Sequence, residues 1–221
     1  PLQKYASHSG SSICHTCSGG TETPAQNSTT CQACGAGQYA PFGEACRKCE
    51  PGRFREGEYK DTTLFGGNST NNGMNRSNAG TGMALLTISP AVREGTICAL
   101  CPSGYFADIT GAAACAPCFP GEMQPSSGQT SCEVCANSTF SPKPASKACE
   151  ECPAGFFQDR TAQAGCLSCV PGRAQVEKRK SYCDVCPEGY FQDATQKTVC
   201  KRCALGRFQA AEGSVSCIDC H

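Results

Sequence analysis

Twenty-two cysteines, set out as eleven Cys-x-x-Cys pairs, are the residues of this 221-residue chain with the most chemistry to offer. The first cysteines of the pairs stand at 14, 31, 46, 98, 115, 132, 149, 166, 183, 200 and 217, and the seven steps from Cys98 to Cys217 are each seventeen residues long. Three chemistries use such pairs. Two pairs can hold one zinc ion tetrahedrally. A pair at a helix start can cycle between dithiol and disulfide. In an oxidising compartment, cysteines cross-link the chain. Zinc would consume the pairs two at a time, and eleven is odd. Redox pairs belong to a βαβ setting, and no helical period is visible in this chain. Other catalytic groupings are weaker still: His8, His15 and His221 have no evident acid or nucleophile partner. The reading is therefore of a chain that is not an enzyme and holds no cofactor.

A fixed period means one small unit copied end to end, and an array whose copies touch only their neighbours is expected to be an elongated rod. Composition agrees. Leu, Ile, Val and Phe together number 29 of 221 residues and Trp is absent, which is too little for an ordinary core. Cysteine, 22 of 221, reaches the level of a disulfide scaffold, so covalent staples stand in for most of a hydrophobic interior. The 19 basic and 19 acidic residues cancel and are mixed along the chain. With no basic stripe, nucleic acid is not an expected partner. No stretch has the length of apolar sequence that inserts into a membrane. With neither a signal peptide nor an initiator Met, the chain reads as a mature product or a piece of something longer. Asn-x-Ser/Thr sequons at Asn27, Asn68, Asn75 and Asn137 join the cysteines in pointing to a secretory, oxidising compartment, and N-linked glycans are expected on them.

The chain divides into a polar lead-in (1–13), first Cys-rich modules (14–49), a glycosylated insertion within the third module (50–97) and seven regular seventeen-residue modules (98–221). The middle of the insertion is rich in Gly, Asn, Ser and Thr and reads as an exposed loop. Its second half carries the most apolar run of the chain, Met83-Ala84-Leu85-Leu86-Thr87-Ile88, with Pro90 confining it to a sheet edge. The run either packs on the chain's own modules or docks onto a neighbouring subunit or partner, and in the second reading Met83, Leu85, Leu86 and Ile88 are the candidate assembly segment. A fibre subunit would bury it against another copy, and a receptor would leave it to a ligand of another kind.

Let the second cysteine of a pair be position 0 of a module. Gly occupies +3 in nine of ten modules, as Gly20, Gly37, Gly52, Gly104, Gly121, Gly155, Gly172, Gly189 and Gly206, and Ser138 is the exception. Tyr39, Phe54, Phe106, Phe140, Phe157, Phe191 and Phe208 occupy +5. Pro before Gly, as in Pro51-Gly52 and Pro171-Gly172, prescribes a type II turn with positive φ at the Gly. The chain then enters a short strand carrying the aromatic and returns through a second turn, often marked by Gly111, Gly128 or Gly213. The aromatic is expected to stack on the next disulfide or ring. Asp108, Asp159 and Asp193 share +7, where Asp caps a turn or, in the sharper reading, builds a carboxylate ladder for calcium. A weaker period of 34 overlies the first, since Cys152-Pro-Ala-Gly-Phe-Phe-Gln-Asp159 matches Cys186-Pro-Glu-Gly-Tyr-Phe-Gln-Asp193.

Cys101-Pro-Ser-Gly-Tyr-Phe106 and its copies resemble the closing half of an EGF-like module. They are closer still to the tandem Cys-rich repeats of ephrin-receptor and tumour-necrosis-factor-receptor ectodomains. Arrays of this kind also occur in protist surface and flagellar-hair (mastigoneme) proteins. The resemblance covers nearly everything except 50–97. It implies small disulfide-rich modules of β-hairpins and loops, with little helix and no single core.

Three connectivities compete. Bonds within each pair leave the segments between pairs unrestrained. A first-to-first, second-to-second scheme strands one of eleven pairs, although the period of 34 suits it. A ladder joins the second cysteine of one pair to the first of the next, and resembles the last disulfide of EGF-like modules. The ladder is the favoured scheme. It would pair Cys17–Cys31, Cys34–Cys46, Cys49–Cys98, Cys101–Cys115, Cys118–Cys132, Cys135–Cys149, Cys152–Cys166, Cys169–Cys183, Cys186–Cys200 and Cys203–Cys217. Cys14 and Cys220 are then unpaired within the chain or linked to flanking modules.

The expected function is that of an extracellular, cell-surface structural repeat protein, a spacer or fibre subunit of an appendage or coat. Its expected partners are copies of itself or other surface and fibre proteins. A ligand-binding Cys-rich receptor ectodomain is the alternative. Enzymatic deglycosylation of secreted material should convert Asn27, Asn68, Asn75 and Asn137 to Asp, read by mass spectrometry; no conversion at any of the four would count against the secretory assignment.

Overall fold

The computed structural model describes residues 3–57 and 95–220. Among them the regular structure consists of eleven two-stranded sheets, each strand two residues long, and no helix. The architecture is therefore one of small disulfide-rich hairpins in tandem. Each hairpin pairs positions +4 and +5 of a module with the two residues inside the next Cys-x-x-Cys. Thus Tyr105–Phe106 runs antiparallel to Ala116–Pro117 in the register Phe106↔Ala116, Tyr105↔Pro117, and Tyr190–Phe191 runs antiparallel to Lys201–Arg202 in the same way. A two-residue strand exposes little apolar face, so such a hairpin cannot persist on its own.

The chain forms two compact units, one of Pro1–Cys49, Phe54–Ala99 and Gly111–Ala114, the other of Glu50–Arg53, Leu100–Thr110 and Cys115–His221. In the second unit, six disulfides join position 0 of one module to +14, the first cysteine of the next pair: Cys101–Cys115, Cys118–Cys132, Cys135–Cys149, Cys152–Cys166, Cys169–Cys183 and Cys186–Cys200. Cys203–Cys217 repeats the pattern. In the first unit the bonds are Cys17–Cys31, Cys34–Cys46 and Cys49–Cys98. Cys14 and Cys220 are free and exposed. The position-0 sulfurs form the core: Cys101, Cys118, Cys135, Cys152, Cys169 and Cys186 are all fully buried.

Residues 3–13 do not form a separate lead-in. Lys4–Tyr5 pairs with His15–Thr16, with the rings of Tyr5 and His15 5.6 Å apart. Lys4 and Tyr5 therefore occupy +4 and +5 of a module whose +14 is Cys14. The polar composition hid this, because Gln3 stands at +3 where the other modules carry Gly.

The turn after each position-0 cysteine has the predicted geometry. Every +3 glycine has positive φ, as in Gly52 at 80° and Gly121 at 88°, and the following N–H closes the turn, Arg53 N donating to Glu50 O at 3.1 Å. Ser138 takes the same conformation with φ 67° despite its side chain.

A second reason for glycine at +3 lies two modules further on. A Cβ added at Gly104 would sit 2.2 Å from the Ala145 carbonyl oxygen, and one at Gly121 would sit 2.3 Å from that of Ala162. Gly155 and Gly172 face Gln196 and Gly213 in the same way. The expectation that a module touches only its immediate neighbours is corrected here. A seventeen-residue module is so thin that the backbone of the second neighbour reaches it.

The return turn at +10 also requires positive φ. Gly111, Gly128 and Gly213 meet it without cost, but Ala145, Ala162, Arg179 and Gln196 adopt it with φ of 56–61°. Gly121→Ala, which adds both a disfavoured φ and a backbone clash, should lower unfolding free energy by about 2 kcal/mol. Ser138→Gly should raise it by about 1 kcal/mol. Both changes are read by denaturant unfolding with the disulfides intact.

Candidate functional site

The feature built again and again is the junction between one module and the next. Within the second unit three backbone bonds make it. Gly104 N donates to Gln124 O at 2.7 Å, Gly128 N to Cys101 O at 2.7 Å, and Ala107 N to Gln129 O at 3.1 Å. These are +3 N to the next +6 O, the next +10 N back to 0 O, and +6 N to the next +11 O. The register recurs at Gly172 N to Gln192 O, Gln196 N to Cys169 O and Gln175 N to Lys197 O. Backbone groups that a two-residue strand leaves unpaired thus find partners in the adjoining copy.

Position +6 also supplies a buried side chain, which braces the return loop that takes part in this junction. Gln175 and Gln192 are 1% exposed and Gln158 is 2% exposed. Each amide serves the return loop of its own module with both ends. In Gln175, Nε2 donates to Tyr182 O at 3.1 Å while Oε1 accepts from Glu177 N at 3.0 Å. Gln158 does the same with Gly165 O and Arg160 N, and Gln192 with Val199 O and Ala194 N. A neutral, fully satisfied amide can be buried cheaply, which a carboxylate cannot. Sequence reasoning missed this residue although its signal was present: Gln stands at +6 in five of ten modules, as Gln124, Gln158, Gln175, Gln192 and Gln209.

In the first unit Arg55 fills the same position, 3% exposed, and its Nη1 donates to the carbonyls of Cys34, Gly35 and Gln38. Gly95 makes room for this guanidinium, since a Cβ there would lie 2.4 Å from Nη2. Glu22, at +5 of its module, accepts from Cys46 N at 2.9 Å.

The aromatic at +5 has a smaller part than expected. Phe54 is buried, but Phe106, Phe140, Phe157 and Phe191 are half-exposed and Phe208 is exposed. Among the described residues, the one ring pair is Tyr5–His15. The large buried side chain is at +6 wherever that residue is Gln158, Gln175 or Gln192, and the aromatic before it lies nearer the rim. There it meets charge: Lys201 Nζ lies 5.7 Å from the Phe191 centroid, and Arg202 stands over Tyr190 at 5.6 Å while donating to its hydroxyl.

The residue before position 0 lies over the +10 turn of the following module. A Cβ on Gly128 would meet Leu100 Cδ2 at 2.8 Å, and one on Gly213 would meet Val185 Cγ1 at 3.2 Å. Where both are charged they pair, Arg179 Nη1 to Glu151 Oε1 at 3.6 Å. Asp193, one of the three +7 carboxylates, takes a 2.6 Å bond from Lys201 Nζ, and this holds its pKa below the usual carboxylate range. The N–H two residues beyond the +6 glutamine is met by that glutamine. Among the described residues, no group of three or more His, Cys, Asp and Glu is placed to hold a metal ion.

Asn27 and Asn137 are exposed. Asn68, Asn75, Met83, Leu85, Leu86 and Ile88 lie outside the described residues. No described helix is long and apolar enough to cross a membrane.

The family model described as tyrosine-protein kinase ephrin type A/B receptor-like matches residues 104–148, 139–179 and 174–220. The three matches run together from 104 to 220, more than half of the chain. This chain belongs to the ephrin-receptor-like family. The matches start at 104, 139 and 174. An ephrin-receptor-like unit therefore spans about two modules, the distance over which Gly104 reaches the Ala145 carbonyl. No curated protein matches the chain. Ephrin-receptor-like repeats stapled by disulfides are of a kind typical of extracellular domains.

Gln175→Leu should cost about 1–3 kcal/mol, because Tyr182 O and Glu177 N lose their buried partner. Gln209→Leu in the 1–221 polypeptide should cost much less, since its bonds to Ser216 O and Ala211 N are exposed. Amide hydrogen exchange at Glu177 and Ala211 reads the difference residue by residue.

Proposed function

We propose that this chain is a structural repeat protein outside the cell, a spacer or fibre subunit of a cell-surface appendage or coat. In this reading it is not an enzyme and carries no cofactor beyond N-linked glycans. The observation that supports it is the use each module makes of its buried groups. The disulfide and the +6 amide hold each loop in shape, the backbone at 0, +3 and +6 bonds to the adjoining module, and the same junction recurs from module to module. Such a design transmits load through covalent bonds and backbone ladders and tolerates an oxidising, protease-rich setting. Its partners are copies of itself or other surface and fibre proteins.

The family description supports a second reading, a ligand-binding Cys-rich receptor ectodomain, because the proteins it names are receptors. Negative-stain microscopy of native material separates the two. Filaments or a continuous coat containing the chain are expected. Isolated particles, each bound to a protein of a different kind, would replace the fibre reading with the receptor one.

A further inference from the structure

The sequon Asn137-Ser138-Thr139 falls on the turn of its module, at +2, +3 and +4. Asn137 is exposed, but Ser138 and Thr139 are each only 9% exposed. The polar groups of these two residues are all spoken for. Ser138 N donates to Gln158 O at 2.7 Å, and Ser138 O accepts from Cys152 N at 3.0 Å. Thr139 N donates to Ala136 O at 3.2 Å, and the Thr139 hydroxyl donates to the same oxygen at 2.7 Å. The hydroxyl bond belongs to the turn and not to the sequon, because Thr21, at +4 of its own module, donates to Ser18 O at 2.8 Å in the same way. Thr139 also pairs in register with Glu151.

N-linked transfer needs a different shape. The transferase takes the acceptor as an extended stretch, with the asparagine amide in the reaction centre and the hydroxyl two residues on as a recognition group. In the folded module that hydroxyl is turned inward to Ala136, and Ser138 sits in the left-handed region with φ 67°. Presenting the sequon would break its turn bonds and detach it from the following module. The groups that close it are also made after it. Cys149, the disulfide partner of Cys135, lies 14 residues further on, and Gln158 lies beyond that. Chain growth therefore leaves the sequon extended before its lock exists.

We infer that Asn137 accepts its glycan only while the 135–149 loop is open, and that closing Cys135–Cys149 and docking on the 152 module ends its availability. The exposed Asn137 side chain lets the folded module carry a sugar already attached. The donor is a lipid-pyrophosphate-linked oligosaccharide. Asn137 Nδ2 bonds to the anomeric carbon, the bond from that carbon to the pyrophosphate oxygen breaks, the lipid pyrophosphate leaves, and Nδ2 gives up one proton to solvent. The inference rests on the extracellular reading and adds an order of events to it, modification before disulfide closure.

The test uses the 1–221 polypeptide made without glycans, in one sample with its ten disulfides formed and in another fully reduced. Each is incubated with purified oligosaccharyltransferase and a dolichyl-pyrophosphate oligosaccharide, and transfer to Asn137 is followed by glycopeptide mass spectrometry. The reduced chain should be modified at Asn137, and the oxidised chain at least about tenfold more slowly. Cys135→Ser combined with Cys149→Ser, with the remaining disulfides mapped as formed, should bring the oxidised rate back towards the reduced one. Equal rates on oxidised and reduced chains would overturn the inference. So would a double variant that keeps its other disulfides and stays as slow as the oxidised parent. Absence of transfer to the reduced chain would deny Asn137 the acceptor role altogether. The structural-repeat reading is decided separately, by filaments in native material, so failure here leaves it standing.

Discussion

The structure depends on one constraint: a disulfide from position 0 to +14 with no side chain at +3 beside it. Closing a loop of about fifteen residues removes roughly 3 kcal/mol of conformational freedom from the unfolded chain. That is not enough to order the residues within the loop. The remainder comes from the neighbour. Because the loop is short, its backbone donors and acceptors face outward along the array, and they are satisfied only when another copy lies against them. The sulfur holds the loop closed, and the absence of a Cβ at +3 lets two further backbones approach. Opening the disulfide exposes polar backbone that the small hairpin cannot satisfy internally, whereas Ser138 keeps the junction bonds with a Cβ at +3 and a φ of 67°.

This arrangement explains how a chain with so few large apolar residues folds without a single core. Interior volume is distributed as one buried cystine and one +6 side chain per module. Glutamine is suited to +6 because it offers a donor and an acceptor at the end of a flexible stem, and the return loop presents one carbonyl and one N–H. Arg55 offers donors only, and its Nη1 meets the carbonyls of Cys34, Gly35 and Gln38. Variation elsewhere is spent at the rim, where Glu151 with Arg179, or Leu100 over Gly128, fill the same place with different chemistry.

The functional reading follows from this distribution. A module that spends its interior on its neighbours has only its surface left for recognition. That surface is charge-balanced and varied from copy to copy, while the junction is constant. Selection on continuity yields such a pattern. The family includes proteins named as receptors, and an array of this kind can also serve to hold a ligand site at a distance.

The sequence by itself determined the module. The seventeen-residue spacing of Cys-x-x-Cys and the glycine at +3 specify a loop, a turn with positive φ and a short strand, because each is a local consequence of residue type. The same local logic weighed three cystine connectivities and favoured the ladder from the second cysteine of one pair to the first of the next, which is the one the structure has. It also misjudged what it could not see across modules. The lead-in is half a hairpin because Lys4 and Tyr5 pair with His15 and Thr16 through backbone groups that carry no sequence signature. Phe157 and Phe191 are half-exposed while Gln158 and Gln192 beside them are buried, a choice visible only once the return loop closes over the glutamines. The glycine at +3 answers to a carbonyl 41 residues away in Gly104 and Ala145. Only the tertiary structure decides such a contact, since it depends on how thin each module is once folded and on how closely its copies stack.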